Sequence, residues 1–180
     1  MKIIKTAFEG LLIIKPDVFS DERGYFFESY NSEKLKELGY DWQFAQDNQS
    51  MSAKNVLRGL HFQYPPFEQA KLIRVIRGSV LDVVVDIRKE SRTFGKAHSI
   101  ILNGTDHTML FVPPGFAHGF VSLEDQSIFF YICSKPYNKE SEGALRWNDP
   151  ALNIDWGIQK PLLSPKDEVA PLLSELERLF

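Results

Sequence analysis

The chain has 180 residues, a length typical of one domain, and we expect a single domain over residues 1–180. Lysine and arginine number 21 and aspartate and glutamate 24, giving a net charge of −3 that argues against a basic nucleic-acid-binding protein. A hydrophobic fraction of 43% and a charged fraction of 25% exclude a disordered chain.

The sequence also argues against a membrane or secreted protein. No apolar run approaches the roughly 18 residues of a membrane-spanning helix. The N-terminal stretch is interrupted by Glu9, Gly10 and Lys15, and it lacks the cleavage site of a signal peptide. The single cysteine, Cys133, cannot form an internal disulfide, which favours a reducing compartment. We therefore expect a cytoplasmic protein with neither a membrane nor a nucleic acid as partner.

Short apolar or alternating segments follow one another along the chain, separated by glycine, proline and asparagine. The candidate strands are 10–14, 25–30, 43–48, 56–63, 72–77, 80–87, 97–102, 108–112, 118–123 and 127–133. Many short strands at this spacing predict an all-β sandwich or barrel.

Helical patterns are few. Asn31 or Ser32 is suited to cap a helix over 32–38 that Gly39 ends. A second helix is predicted from Pro171, because Leu172, Leu173, Leu176 and Leu179 then form one apolar stripe. Asp167 is expected on the loop leading into that helix.

The segment 80–87 alternates in a way that predicts a strand beside a polar cavity. Because side chains alternate along a strand, Asp82 and Asp86 share one face, while Leu81, Val83 and Val85 lie on the other.

Two of the four histidines lie beside glycine, where the backbone can approach a ligand. His61 follows Arg58-Gly59-Leu60, and His118 ends a Pro-x-Gly-x-x-His pattern typical of the second cupin motif. The first cupin motif would supply His-x-His, but this chain reads His61-Phe62-Gln63, so we expect the barrel without its metal site. Two hydrogen-bonded core histidines remain the alternative. His98 and His107 lie in turn-flanked contexts, where we expect them to be solvated.

Further candidates each have a structural interpretation beside the functional one. Arg23 and Arg58 adjoin glycines and suit phosphate recognition, or they form surface ion pairs. Lys71 either extends to solvent or meets an anion. Tyr131 is typical of a packed tyrosine with a satisfied hydroxyl, and Asp167 of a helix cap.

Taken together, these segments resemble the dTDP-4-dehydrorhamnose 3,5-epimerase family. The resemblance covers residues 3–168 and rests on segments that occur in a fixed order: 21–28, 46–48, 58–63, Lys71-Leu72, 82–88, 113–120, 147–150 and 163–167. It implies a mainly β, cupin-type jelly-roll β-barrel with a few short helices, including a C-terminal one, and a homodimer. It further implies a reaction without a metal or other cofactor, in the synthesis of dTDP-rhamnose.

The resemblance also assigns roles to residues. His61 is the expected base, Asp167 its partner, Tyr131 the acid on the opposite face and Lys71 the donor to the oxyanion. The expected substrate contacts, including a diphosphate clamp formed by the two arginines, are Arg23, Phe26, Glu28, Gln46, Asn48, Arg58, His118 and Tyr137.

The chain departs from the family at Ser134-Lys135-Pro136, where a proline replaces one of two adjacent aromatic residues. A related epimerase that acts only at carbon 3 or only at carbon 5 therefore stays an alternative. A metal-dependent cupin and a non-catalytic sugar-nucleotide-binding barrel are the other two.

Overall fold

Short strands make up most of the secondary structure, as the alternating segments predict. The computed structural model describes residues 1–37, 39–41 and 43–180. Within them the strands are β1 (Lys2–Lys5), β2 (Leu12–Lys15), β3 (Val18–Asp21), β4 (Gly24–Phe27), β5 (Gln46–Ser52), β6 (Leu57–Gln63), β7 (Lys71–Arg77), β8 (Ser79–Asp86), β9 (Ala97–Asn103), β10 (Met109–Val112), β11 (Phe116–Ser122), β12 (Ser127–Cys133) and β13 (Glu142–Ala144). The helices are α1 (Ser32–Glu37) and α2 (Pro165–Glu168), with 3-10 turns at Lys139–Ser141 and Leu173–Glu175. None of the helices in this part of the chain is long and apolar enough to cross a membrane.

The strands form two antiparallel sheets and a separate hairpin. The six-stranded sheet has the order β1-β2-β10-β7-β12-β5, and the five-stranded sheet has the order β13-β6-β11-β8-β9. Strands β3 and β4 pair only with each other. Neighbours in each sheet are mostly distant in sequence, which is typical of a jelly roll. The mainly β class with a few short helices is confirmed.

The main core lies between the two sheets. Ile73, Val75 and Phe129 face it from the six-stranded sheet, and Val84 and Phe120 from the five-stranded sheet. The outer face of each sheet is also covered. One covering cluster includes Val83, Val85 and the C-terminal side chains, and the other includes α1. The predicted alternation of 80–87 is therefore confirmed, with Val80, Asp82, Val84 and Asp86 on the inner face.

The two helical predictions have different outcomes. Helix α1 is capped as expected, because the Asn31 side chain accepts a hydrogen bond from the Lys34 amide at 3.1 Å. The last residue of the predicted helix, Leu38, lies outside the described residues.

The predicted helix from Pro171 is wrong. Asp167 is itself in the short helix α2, and only one 3-10 turn follows, at Leu173–Glu175. Beyond that turn the backbone pairs with the body of the protein, since the Phe180 carbonyl accepts from the Lys89 amide at 2.9 Å. The apolar side chains of the tail still pack on the sheet, so burial is achieved without helical spacing.

Candidate active site

A cavity of about 590 Å³ opens between the two sheets and gathers seven of the twelve predicted site residues. They are Asn48, Arg58, His61, Lys71, His118, Tyr131 and Asp167. The two histidines stand on the five-stranded sheet, and Lys71, Asn48 and Tyr131 stand on the six-stranded sheet that faces it. A molecule in this cavity therefore has ionisable groups on both of its sides.

The histidines are brought together by the pairing of β6 with β11. His61 and His118 are direct partners in the antiparallel register, so both side chains leave the same face of the sheet. The strands approach closely at Gly59, where φ is +125° and an added Cβ would lie 2.5 Å from the Gly119 Cα. Glycine is required there by both conformation and space, which explains the glycine next to Arg58.

His61 forms a dyad with a carboxylate from a remote part of the chain. Its Nε2 lies 2.6 Å from Asp167 Oδ1, and the Ser164 hydroxyl donates to the other oxygen, Oδ2, at 2.8 Å. Burial acts to raise the pKa of Asp167, but the hydrogen bonds and charge of His61, with Ser164 and the Gly59 amide, outweigh it and hold that pKa below its usual value. The Asp167 side chain is 3% exposed and the His61 side chain 33%, so the ring is the more accessible member of the pair in the cavity wall.

A short segment at residues 142–146 holds the two halves of the dyad together. Ala144 pairs with His61 across β13 and β6. On the Asp167 side, Glu142 accepts a hydrogen bond from Lys166, and the Arg146 side chain donates to the Ala170 carbonyl at 2.8 Å. The Arg146 amide also donates to the Pro171 carbonyl, so hydrogen bonds from this segment hold the backbone on both sides of Asp167.

Tyr131 and Lys71 face the dyad from the opposite sheet. Burial raises the pKa of Tyr131 to about 12, so its hydroxyl keeps its proton at neutral pH. Burial lowers the pKa of Lys71, although the nearby Cys133 and Asp82 favour the charged form. The Lys71 ammonium lies 5.9 Å from the centre of the Tyr131 ring. This pair supplies one proton donor and one cationic donor on a single side of the cavity.

His118 binds one of the two aspartates that share a face of β8. Its Nε2 lies 2.9 Å from Asp82 Oδ2. Asp86 instead accepts bonds from Arg88, Ser91 and Thr93, away from the cavity. Burial lowers the pKa of His118, although the charge of Asp82 acts to raise it. The lowered pKa favours the neutral ring.

Five predicted site residues lie outside the cavity lining. Gln46 is next to it, because its amide donates to Asn48 Oδ1 at 2.9 Å and its carbonyl oxygen accepts from the Tyr137 amide at 2.8 Å. Tyr137 is exposed, and its hydroxyl donates to Glu142. Glu28 is bound by Lys34 and Asn31 on the surface.

The other two residues, Arg23 and Phe26, are on the exposed β3–β4 hairpin. Arg23 pairs with Asp21 there. The two predicted phosphate clamps, Arg23 and Arg58, are thus in separate places within one chain.

The structure adds residues that the sequence did not single out. Ser164, which caps α2 and binds Asp167, and Phe129, which packs against the His118 ring, both line the cavity. Ser164 had a usable signal, since a serine before Pro-Lys-Asp is typical of a helix cap. The expected solvation of His98 is wrong, because its Nε2 is buried without a protein partner in the described residues. His107 is partly covered by the rings of Tyr25 and Phe27.

In the described ranges, no group of three or more histidine, cysteine, aspartate or glutamate side chains is arranged to hold a metal ion. Both carboxylate oxygens of Asp167 already have partners, because Oδ1 binds His61 and Oδ2 accepts from the Ser164 hydroxyl.

Comparison with known proteins gives a consistent result. A family model described as dTDP-4-dehydrorhamnose 3,5-epimerase matches residues 5–175. A protein of that name from Salmonella typhimurium is 51% identical over 177 residues, covering 97% of each chain. A crystal structure of the Legionella pneumophila enzyme in complex with dTDP-4-keto-L-rhamnose is 44% identical, with a TM-score of 0.94, and the match covers 98% of this chain and 94% of that one.

A more distant structure is that of a 3′-monoepimerase from Streptomyces bikiniensis in complex with dTDP-quinovose. It is 36% identical, with a TM-score of 0.89, and the match covers 94% of this chain and 86% of that one. The family model and the two closer relatives agree with each other and with the cavity, and the chain belongs to the dTDP-4-dehydrorhamnose 3,5-epimerase family of isomerases.

Proposed function

We propose that this protein epimerises carbons 3 and 5 of dTDP-4-dehydro-6-deoxy-D-glucose and so forms dTDP-4-dehydro-L-rhamnose, in the synthesis of dTDP-rhamnose. The observation that carries the proposal is the placement of a His61–Asp167 dyad and a protonated Tyr131 on opposite walls of one cavity. Inversion at carbon needs a base on one side of the sugar ring and an acid on the other.

The reaction follows from the ketone at carbon 4. It acidifies the C–H bonds at carbons 3 and 5, so His61 takes the proton and the bonding electron pair moves to the ketone oxygen as an enolate. When the electron pair returns, the carbon takes a proton from the Tyr131 hydroxyl on the other side and its configuration inverts. Solvent then reprotonates the tyrosinate and removes the proton from His61, and the cycle repeats at the second carbon.

The dyad determines which atom of His61 acts. An ionised carboxylate only accepts hydrogen bonds, so the proton of the neutral ring resides on Nε2, beside Asp167 Oδ1. This leaves the lone pair of Nδ1 to act as the base, while Asp167 stabilises the imidazolium that forms.

The enolate oxygen needs a positive donor, and Lys71 is suited to this role. It is buried between the sheets, where its charge acts with little screening by water. Its nearness to Tyr131 places the oxyanion donor and the acid on the same wall.

Substrate binding also requires contacts to the nucleotide and diphosphate, which do not react but position the sugar. Arg58 lines the cavity, with its guanidinium also bound to the Ser52 hydroxyl at 3.2 Å, and offers a planar donor to a phosphate. Asn48 is on the same strand as Gln46 and presents an amide to the same space.

We further propose a homodimer in which the β3–β4 hairpin of one protomer completes the cavity of the other. Phe19 and Phe26 on this hairpin are 67% and 71% exposed, an unusual state for large apolar side chains. Arg23, the second predicted phosphate clamp, is on the same hairpin and is separate from the cavity of its own chain. A cytoplasmic location belongs to the same proposal, because the one cysteine leaves no internal disulfide to form.

A second candidate function is epimerisation at one carbon only. It is favoured by the likeness to a 3′-monoepimerase and by the proline at position 136, where the family has an aromatic residue. The same cavity chemistry serves both reactions, so the number of carbons that exchange decides between them.

The test is proton exchange in deuterium oxide. The purified protein is incubated with dTDP-4-dehydro-6-deoxy-D-glucose, and deuterium is followed at each carbon by NMR or mass spectrometry. We expect deuterium at carbons 3 and 5, and a loss of about 10²–10⁴-fold in rate for His61→Asn with dTDP binding retained. Exchange at carbon 3 alone would establish a monoepimerase, and dTDP binding without any exchange would establish a binding barrel.

A further inference from the structure

The cavity contains a second histidine–carboxylate pair that the proposed proton transfers do not use. His118 is 7% exposed and its partner Asp82 is fully buried, with 2.9 Å between Nε2 and Oδ2. Both are on adjacent strands of the five-stranded sheet, and His118 pairs directly with Val84, two residues from Asp82 on the same face. The pair forms part of the cavity wall beside His61.

The orientation of the His118 ring is fixed on two sides. Asp82 holds Nε2, and the Phe129 ring lies nearly parallel to the imidazole, with centroids 5.9 Å apart and an interplanar angle of 20°. In the described part of the chain Nδ1 has no hydrogen-bond partner, although the residue lines the cavity. Nδ1 is therefore the ring atom available to a bound molecule.

The carboxylate decides what Nδ1 can do. Because an ionised carboxylate only accepts, it selects the tautomer that carries its proton on Nε2, and Nδ1 then has a free lone pair. The charge of Lys71 also acts on His118 and opposes a positive charge on the ring, in the same direction as burial.

We propose that Asp82 is a positioning residue that keeps His118 in the Nε2–H tautomer, so that Nδ1 accepts a hydrogen bond from a hydroxyl group of the bound sugar. This inference rests on the proposed function, because it takes a sugar nucleotide as the ligand. It separates the two pairs by role. Asp167 supports a ring that gains a proton, whereas Asp82 supports a ring that stays neutral and orients the substrate. An accepted hydroxyl bond fixes the rotation of the sugar over His61, which contributes to rate through orientation.

The first arm of the test observes the tautomer directly and needs no variant that loses function. Protein labelled with ¹⁵N-histidine is studied by NMR, with His118→Asn used only to identify the His118 signals. We expect a protonated Nε2 and an unprotonated Nδ1 in the free protein. A protonated Nδ1, alone or in an imidazolium, would overturn the inference.

Ligand addition in the same experiment tests the sugar contact. Unreactive dTDP-glucose is expected to shift the His118 Nδ1 signal, and dTDP alone is expected to leave it unchanged. Equal shifts with both probes would overturn the proposed contact, since the sugar would then contribute nothing at Nδ1. This outcome is independent of whether the protein catalyses exchange, so it is distinguishable from failure of the proposed function.

The second arm compares two buried aspartates on the same face of β8. Asp82→Asn keeps the shape but adds a donor, and the amide is expected to turn that donor to Nε2, because the Lys71 charge attracts its carbonyl oxygen. We expect a loss in kcat of up to about 100-fold, because the sugar is then less well oriented, with unchanged affinity for dTDP. Asp86→Asn is the matched control, because Asp86 binds Arg88 and not the cavity. We expect its kcat to equal that of the wild type.

Wild-type kcat in a folded Asp82→Asn variant would overturn the inference, as would an equal loss in both variants. If Asp82→Asn does not fold, the tautomer in the wild type decides. The exchange assay on the wild type stands apart from both arms, because absence of exchange there contradicts the proposed function and leaves the tautomer measurable.

Discussion

Replacing Asp167 by asparagine removes the charge behind the proposed base and changes little else. The Asp167 side chain is 3% exposed, and its 2.6 Å bond to His61 Nε2 is short, as expected for a charge-assisted bond. Such bonds contribute about 1.5–3 kcal/mol, and each 1.36 kcal/mol of transition-state energy is a factor of ten in rate. We therefore expect Asp167→Asn to lower kcat by about 10- to 150-fold.

The assay is kcat for epimerisation at saturating substrate near neutral pH, with thermal unfolding measured on the same samples. Asp155→Asn is a suitable control, because Asp155 is exposed and, among the residues that the structure describes, its side chain binds only the Gly157 amide. Wild-type kcat in a folded Asp167→Asn variant would refute the reasoning, since His61 would then act without its carboxylate.

The same substitution has a predicted dependence on pH. Interactions in the folded protein hold the pKa of Asp167 below its usual value, so the ionised carboxylate stabilises the fold. That contribution is fully present above about pH 4, the pKa of the unfolded carboxyl, and is lost as the pH falls through the lower, folded value. The difference in Tm between the wild type and Asp167→Asn is therefore expected to shrink below about pH 4.

Three more predictions concern other parts of the molecule. Tyr131→Phe is expected to lower the rate of product formation by about 10²–10⁴-fold, while deuterium still enters the recovered substrate through His61. An equal loss of product formation and of deuterium entry would contradict the role of Tyr131 as the acid. Asp86→Asn is expected to lower the free energy of unfolding, measured in urea, by about 2–3 kcal/mol, because the buried carboxylate binds Arg88. An unchanged free energy of unfolding would contradict this. Mixed dimers of inactive Arg23→Ala and His61→Asn chains are expected to recover about a quarter of wild-type activity. Random pairing makes about half of the dimers hybrids, and in each hybrid one of the two sites combines an intact His61 with the partner's intact hairpin. No recovery would place Arg23 outside the partner's site.

The strands were largely predictable, because alternation reports which side chains share a face. The segment 127–133 coincides with β12, and 80–87 differs from β8 by one residue at each end. The C-terminal tail was not predictable in the same way, since Leu173, Leu176 and Phe180 pack on the sheet from a backbone whose helical part is one 3-10 turn. Helical spacing is a weak predictor of a helix in a short segment when another part of the same chain offers backbone hydrogen bonds. Lys89 does so for Phe180.

Seven of the twelve predicted site residues line the cavity, and the partners of these residues were harder to predict. The resemblance pointed to His61, Lys71 and Tyr131, which the fold brings to one cavity. Strand parity offered Asp82 and Asp86 equally, because period two reports the face and not the position along it. Only the structure shows that Arg88 binds the second of these.

The hydrogen bonds between residues 142–146 and the segment around α2 have a consequence for biosynthesis. His61 and its carboxylate are separated by 106 positions, and the anchors that join them are themselves late in the chain. During translation from the N-terminus, both sheets are available before the carboxylate emerges. A nascent chain that ends before residue 165 therefore carries His61 and Tyr131 without the carboxylate that binds His61. We expect such a chain to abstract protons more slowly than one that includes Asp167.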